Sequence, residues 1–360
     1  MSVADRFTVP DDIAVRIQPA DMHGTTAGIF QALGMPAADA ARCADVLLYA
    51  DIRGIDSHGV SNMMPYYVNG LKDGSINPAP QWSVVKEAPA TATIDSDRGL
   101  GLTIGPQAMA LAIEKAKQCG IGAVSASNGG HYGAAAYHAH LAIDHDMIGV
   151  SCTVGGIQVV PTFGSRGVLG LNPMAVAAPA AKEAPFVFDA SMSSVAANKI
   201  RILKRLGGTV SPGWIAEMDG TPVLDEREVP DQFLMLPTGG TRENGSHKGY
   251  GMAMFVDIVA GVLSGTGPGF ASRQGKAHHF LAYRIDAFTE LELFKSDMDH
   301  YLRELREMQP APGEERVLYP GLKEHETEVD RRERGIPYHP DVVQYFRDTA
   351  RELGVATALG

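Results

Sequence analysis

The 360-residue chain has only three cysteines, Cys43, Cys119 and Cys152. An odd, widely spaced set is not the pattern of a disulfide framework, and two of the three sit in apolar stretches, which predicts buried free thiols. Positive charge is also short. Lysine and arginine number 31 against 42 acids, a net charge of −11. That balance argues against nucleic acid and against anionic membrane surfaces as partners. An anionic substrate would need a local positive patch to offset the global field. No apolar run approaches the ~18 residues of a membrane span. The closest, Met252 to Leu263, carries Asp257. The first twelve residues contain no apolar stretch of the secretory kind, so the expected location is the cytoplasm. Walker A and Rossmann signatures are missing too. Gly99-Leu-Gly-Leu-Thr-Ile-Gly105 has the wrong spacing for a dinucleotide fingerprint, and no acid closes a following strand. Gly265-Thr-Gly-Pro-Gly269 follows a helix instead of a strand. Any NAD(P) site here is therefore of a non-Rossmann kind.

Hydrophobic residues at 45% and charged residues at 20% describe an ordinary globular protein. The length suits about two domains. Glycine is abundant, 40 residues, so tight turns and close backbone approaches are numerous. Residues 13–80 read as helical. Ala40, Cys43, Ala44, Leu47 and Leu48 share one apolar helical face that stops near Gly54. From Trp82 the texture turns to short β-rich runs. Residues 83–87 and 91–95 look like paired strands, a helix is expected over 105–118, and 121–127 reads as a buried strand. A helix over 134–146 and a strand over 148–153 follow, then strand-like runs within 171–179 and 185–189. Residues 205–245 read as loop. A long helix is expected over 248–264, and charged helices over 290–308 and 340–353. This alternation predicts an α/β fold: an N-terminal helical region over 1–80, an α/β cofactor-binding core over 81–286, and a C-terminal helical region over 287–360 packing with the first.

Three segments carry chemistry. Ser57-His58-Gly59 places a histidine on a loop anchored by the preceding helix; its ordinary pKa near neutrality suits proton transfer. The alternative is a structural histidine, or a serine capping the next helix. Asn128-Gly-Gly-His131-Tyr-Gly133 follows a strand directly, so His131 falls at an open strand end, where α/β sheets bind ligands. His131, His138 and His145 recur every seven residues, but no carboxylate completes a metal site, and His138 and His145 read as surface residues. Gly245-Ser-His247-Lys248-Gly249 opens a helix, and a lysine beside free N–H groups makes an anion site. Asp189 closes the strand before Ala190-Ser191. It is a turn former or a carboxylate that orients a catalytic histidine.

These segments, in this order, resemble the malate/L-lactate dehydrogenase family of NAD(P)-dependent oxidoreductases, from about Ile17 to Gly354. The carriers are Ala50–Gly59, Gly120–Gly133, Gly167–Pro173, Phe186–Ser191, His247–Gly251, Gly321 and Gly335-Ile336. The resemblance implies a non-Rossmann dimer that moves hydride between NAD or NADP and a 2-hydroxy acid/2-oxo acid pair, or reduces a cyclic imine. It implies an acid–base role for His58, assisted by Ser57, with His131 as second candidate or substrate orienter. It implies cofactor contacts at Asp189, Ala190, Ser191, His247, Lys248, Gly249, Gly321 and Asn172. Two positions depart from the family pattern. Asn62 stands where many members carry an arginine suited to a substrate carboxylate, and asparagine cannot make that bidentate charged clamp. Arg53 or Arg166 would then take over, or the substrate would be an imine. The family's Thr-Asn-Ser is altered to Thr153-Val-Gly-Gly156. The reading from sequence is thus a dehydrogenase of small, carboxylate-bearing 2-hydroxy acids. An imine reductase and a catalytically silent nicotinamide-binding paralogue are the alternatives.

Overall fold

The computed structural model describes residues 7–359; the first six, part of the stretch read above as free of a secretory signal, lie outside the described residues. Helices α1 (Pro19–Ala32), α2 (Ala37–Ile52) and α3 (Val60–Lys72) form the N-terminal part. The apolar face read from 40, 43, 44, 47 and 48 is fully buried or nearly so. The pairing of β1 (Val15–Ile17) with β15 (Ile336–Tyr338) brings the two ends of the chain together. As a result Met22, Phe30, Leu47 and Tyr67 share one core with Tyr338, Val343 and Phe346, the last two on α10 (Pro340–Leu353).

The central sheet has seven strands in the order β2-β3-β4-β14-β5-β8-β9. They are β2 (Ser83–Ala88), β3 (Thr91–Asp95), β4 (Ile121–Gly129), β14 (Lys276–Arg284), β5 (Met147–Thr153), β8 (Met174–Ala178) and β9 (Phe186–Ala190). Only β3 and β4 run parallel; every other neighbouring pair is antiparallel. This is not the doubly wound sheet that a Rossmann fingerprint would require. Helices α4 (Gly101–Cys119) and α5 (Ala135–His140) cover the sheet through alanine-rich faces. Small side chains at Ala108, Ala112, Ala116, Ala136 and Ala139 let those helices lie close on it.

Several boundaries differ from the sequence reading. Helix α4 begins at Gly101, so the glycine-rich stretch 99–105 is mostly helix. His138 lies on α5 and is fully buried, not at the surface. Its ring stacks on Tyr132 at 4.6 Å and its Nε2 meets the Tyr132 carbonyl at 2.7 Å. His145 is exposed as expected. The region 205–245 is not bare loop. Short strands β6 (Ile157–Val159), β7 (Leu169–Gly170), β11 (Ile215–Ala216) and β13 (Leu234–Met235) build a second sheet, and β10 (Thr209–Val210) pairs with β12 (Arg227–Glu228). Helix α6 (Ala197–Arg205) precedes them. The helix expected over 248–264 is α7 (Ser246–Val256), continued by a wider turn through Val262. In the tail, α8 (Leu291–Glu307) packs on the β9 edge through Leu302, joined there by Tyr319 from the segment that follows it, and α9 (Leu322–Arg334) lies against α2. Cys43 and Cys152 are buried free thiols, as read; Cys119 is exposed.

Candidate active site

The loop bearing His58 is fixed from four sides. Asp51, at the end of α2, accepts the Val60 amide proton at 3.0 Å and so caps α3. Its other carboxylate oxygen lies against Gly59, where a β-carbon would fall 1.7 Å away. The glycine of Ser-His-Gly is therefore a packing requirement. Asp56 is held by the buried Arg331 of α9 at 2.6 Å. Asn62 donates to the Asp56 carbonyl at 2.9 Å, and Asn198 of α6 donates to the Ser57 carbonyl at 2.8 Å. Burial, reinforced by the charge of Asp56, raises the Asp51 carboxyl to about 7.

The structure brings the two sequence-predicted histidines together. Their rings are 5.8 Å apart and within 13° of parallel. Ser57 Oγ lies 2.9 Å from His58 Nδ1. His131 Nδ1 is 2.7 Å from the Tyr67 hydroxyl and accepts the Gly133 amide proton at 3.2 Å. An N–H pointing at Nδ1 leaves that nitrogen as the acceptor, so neutral His131 carries its proton on Nε2. His58 faces a hydroxyl that can donate or accept, and so can hold either protonation state. Burial, then the nearby Lys199 charge, lowers the His58 pKa to about 4. Burial lowers His131 well below its ordinary value, and His58 and Lys276 push the same way. Both rings nevertheless keep part of their surface open to solvent. Lys199 from α6 and Lys276 from β14 thus bring positive potential to a histidine pair in an acidic chain. Tyr67, Asn198, Lys199 and Lys276 were missed in the sequence. Tyr67 reads there only as one more apolar position of α3.

The expected cofactor residues gather round the end of β9. Asp189 accepts the Ala136 amide proton at 2.7 Å, so it does not orient a histidine as expected. Desolvation by its surroundings raises it to about 6, although the residue itself is exposed. Gly321, with φ +98°, caps α9 against β9, and a β-carbon on it would come 2.8 Å from the Val187 nitrogen. On the other side, Thr238 donates its amide proton to the Met192 carbonyl, just beyond Ala190 and Ser191. Thr238 also packs on Gly249, where a β-carbon would meet its carbonyl at 2.4 Å. The first turn of α7, with exposed His247 and Lys248, therefore flanks the Asp189–Ser191 segment. Asn172 is different. It is fully buried, bonding the Gly155 amide and the Ala253 carbonyl, and supports the site from beneath.

A cavity of about 140 Å³ lies beside this arrangement, lined by Gly155, Gly156, Gly267, Gly269, Gly275 and Lys276. The altered Gly155-Gly156 pair leaves its wall as bare backbone. Lys276 makes no ion pair among the described residues, and burial lowers its pKa. An exposed carboxylate with a spare oxygen suits a ribose, and a lysine on a helix N-terminus suits phosphate. These residues fit a nicotinamide dinucleotide.

Neither arginine expected at the substrate is beside the histidines. Arg53 is buried against α9, paired with Glu328 at 2.6 Å and stacked over Tyr49. Arg166 is exposed on the loop between β6 and β7, with no contact to either ring.

The family model described as malate/L-lactate dehydrogenase matches residues 17–347. The chain is 38% identical over 355 residues to a malate dehydrogenase of Pyrococcus abyssi, covering 96% of this chain and 97% of that protein. It is 34% identical over 346 residues to an L-sulfolactate dehydrogenase of Methanocaldococcus jannaschii, covering 94% and 97%. The solved malate dehydrogenase of Pyrococcus horikoshii OT3 superposes with a TM-score of 0.89 at 35% identity, over 97% of this chain and 99% of that one.

Proposed function

We propose that this chain, which belongs to the malate/L-lactate dehydrogenase family, interconverts a small 2-hydroxy acid and its 2-oxo acid with His58 as the proton-transfer group. Membership makes it an oxidoreductase acting on CH–OH groups. The observation that carries the assignment of His58 is the pair of parallel rings 5.8 Å apart, each with its Nδ1 engaged inside the protein.

Bound NAD or NADP supplies or accepts the hydride. Asp189, Ala190 and Ser191 would form the wall for its ribose and His247 and Lys248 would meet its phosphates, with Gly321 and Gly249 packing those segments in place. His58 Nε2 hands a proton to the carbonyl oxygen during reduction and removes it during oxidation. Ser57 Oγ accepts from the Nδ1–H that His58 keeps before and after the transfer, so the ring stays oriented in both states. His131 holds the same oxygen through its Nε2–H, which the two donors at Nδ1 favour. Without a ligand both rings are neutral, because burial opposes charge on each, Lys199 adds to this at His58, and His58 adds to it at His131. An arriving carboxylate supplies the missing counter-charge, so acid binding and proton uptake by His58 go together. Lys199 and Lys276 form the local positive patch that an anionic substrate needs in a chain of net charge −11.

The relatives give no support to an imine reductase or to a silent paralogue. No described helix is long and apolar enough to cross a membrane, and we place the enzyme in the cytoplasm. We also take it to be a homodimer. Met252, Phe255, Ile258, Val262 and Leu263 form an exposed apolar row along α7 and its continuation, the kind of surface a second copy covers.

The test is isotopic. Coenzyme carrying deuterium at the transferring carbon is mixed with a panel of 2-oxo acids, and the product is read by mass spectrometry. One deuterium at C2 of a 2-hydroxy acid is the expected result. Coenzyme that keeps its deuterium, with no labelled 2-hydroxy acid from any of the acids, would overturn the reading.

A further inference from the structure

Helix α6 lies across the His58 loop, and two asparagines stitch them together in the same way. Asn198 donates to the Ser57 carbonyl at 2.8 Å and accepts from Arg201 at 3.3 Å. Asn62 donates to the Asp56 carbonyl at 2.9 Å and accepts from Arg205 at 3.2 Å. Arg201 and Arg205 are four residues apart and so share one face of α6. Both are exposed, and neither has a carboxylate partner among the described residues. Other arginines around this loop behave differently: Arg53 and Arg332 pair with Glu328, and Arg331 pairs with Asp56. Two guanidinium groups are therefore steered toward the histidine loop by neutral amides, which leave their charge and most of their N–H groups unspent. Such a fork recognises a carboxylate or sulfonate bidentately.

We infer that Arg201 and Arg205, positioned by Asn198 and Asn62, form an anion clamp beside His58 that selects substrates with a second acidic group. The inference rests on the 2-hydroxy-acid reading and narrows it to 2-oxo and 2-hydroxy acids with two anionic ends. An asparagine fits position 62 because the guanidinium arrives from α6 instead of α3. The same chemistry would also hold a coenzyme phosphate, so the experiment must separate the two sources.

The test compares oxaloacetate with pyruvate in wild type, Arg201→Gln, Arg205→Gln and Lys204→Gln. Lys204 removes one positive charge from the same helix but pairs outward with Asp231 at 2.7 Å. NADH and NADPH affinities are measured alongside by fluorescence titration, and melting curves confirm folding. The expected result is a KM for oxaloacetate raised about tenfold or more in each arginine variant. Pyruvate kinetics and coenzyme affinity should stay within about twofold of wild type, as should all values for Lys204→Gln. Arg205→Lys, which keeps the charge but not the fork, should recover only part of the loss. Equal effects in Lys204→Gln would reduce the clamp to a general field and overturn it. Weakened coenzyme binding would reassign the arginines to a coenzyme phosphate. A wild type that turns over pyruvate as well as oxaloacetate would sink the clamp alone, whereas one that turns over no 2-oxo acid would sink the functional reading with it.

Discussion

The carboxyl of Asp51 lies so close to Gly59 that a β-carbon there would fall 1.7 Å from Oδ1. Asp51 is also the acceptor for the Val60 amide and the Tyr338 hydroxyl, both at 3.0 Å. One buried side chain thus sets the start of α3, the approach of β15 and the path of the His58 loop. Gly59→Ala must push Asp51 or the loop aside. We expect a stability loss of about 1–3 kcal/mol, as for other overpacked sites. A fall of at least roughly tenfold in kcat should accompany it, since His58 is carried on the displaced loop. Chemical denaturation and steady-state kinetics on the same preparation check both; an unchanged kcat would separate Gly59 from the site.

Lys199 pushes the His58 pKa in the same direction as burial. Replacing it with glutamine removes a nearby positive charge, so the pKa should rise toward its ordinary value. Oxidation needs neutral His58, so its acid limb should move to higher pH in Lys199→Gln. The pH profile of kcat/KM in the oxidative direction reads this. A limb that stays put, or moves to lower pH, would contradict the placement.

Stability should fall on the acid side for a related reason. His58, His131, His138, His140, His278 and His279 all have lowered pKa values, chiefly through burial, with His278 near 3 and His138 near 4. The unfolded chain binds protons at these residues that the folded chain refuses. Their contribution is therefore complete above the ordinary histidine pKa and is lost as pH falls from about 6.5 toward about 4. Asp51, Asp189 and Asp257 have raised values and act in the opposite sense, losing stability as pH rises through them. Six histidines outweigh three carboxyls, so Tm should drop across that window. Differential scanning calorimetry in buffers of matched ionic strength measures it; a flat or rising Tm on acidification would refute the account.

Association should depend on the apolar row of α7. Phe255, 53% exposed, lies at its middle. Phe255→Glu buries a charge in any interface built there, so a dimer should give way to monomer in sedimentation velocity. A variant sedimenting like the wild type would place the contact elsewhere.

Much of this was legible in the sequence because the signals were local. The apolar stripe of α2 predicted a buried helix, and the glycine-flanked histidines predicted an open strand end. The resemblance then supplied hydride transfer. What escaped is non-local. Strand β14 inserts between β4 and β5 although it follows them by more than a hundred residues, and no pattern within 276–284 says so. Strands β1 and β15 are three residues each and pair across nearly the whole chain. Helix α9 was missed because it buries little apolar surface, only Leu322 among its hydrophobic residues, and relies on ion pairs such as Arg331–Asp56. Helix α6 is short, and its link to His58 runs through asparagine side chains that carry no sequence signature. Arg53 is drawn away from the substrate for a similar reason: its partner Glu328 lies on α9, far along the chain.

The assignment of proton transfer to His58 is tested most directly by His58→Ala beside the wild type, following coenzyme absorbance during oxaloacetate reduction. A loss of roughly 10²- to 10⁴-fold in kcat, with NADH affinity retained, is the predicted result. A variant with wild-type kcat would contradict the assignment and move the proton to His131.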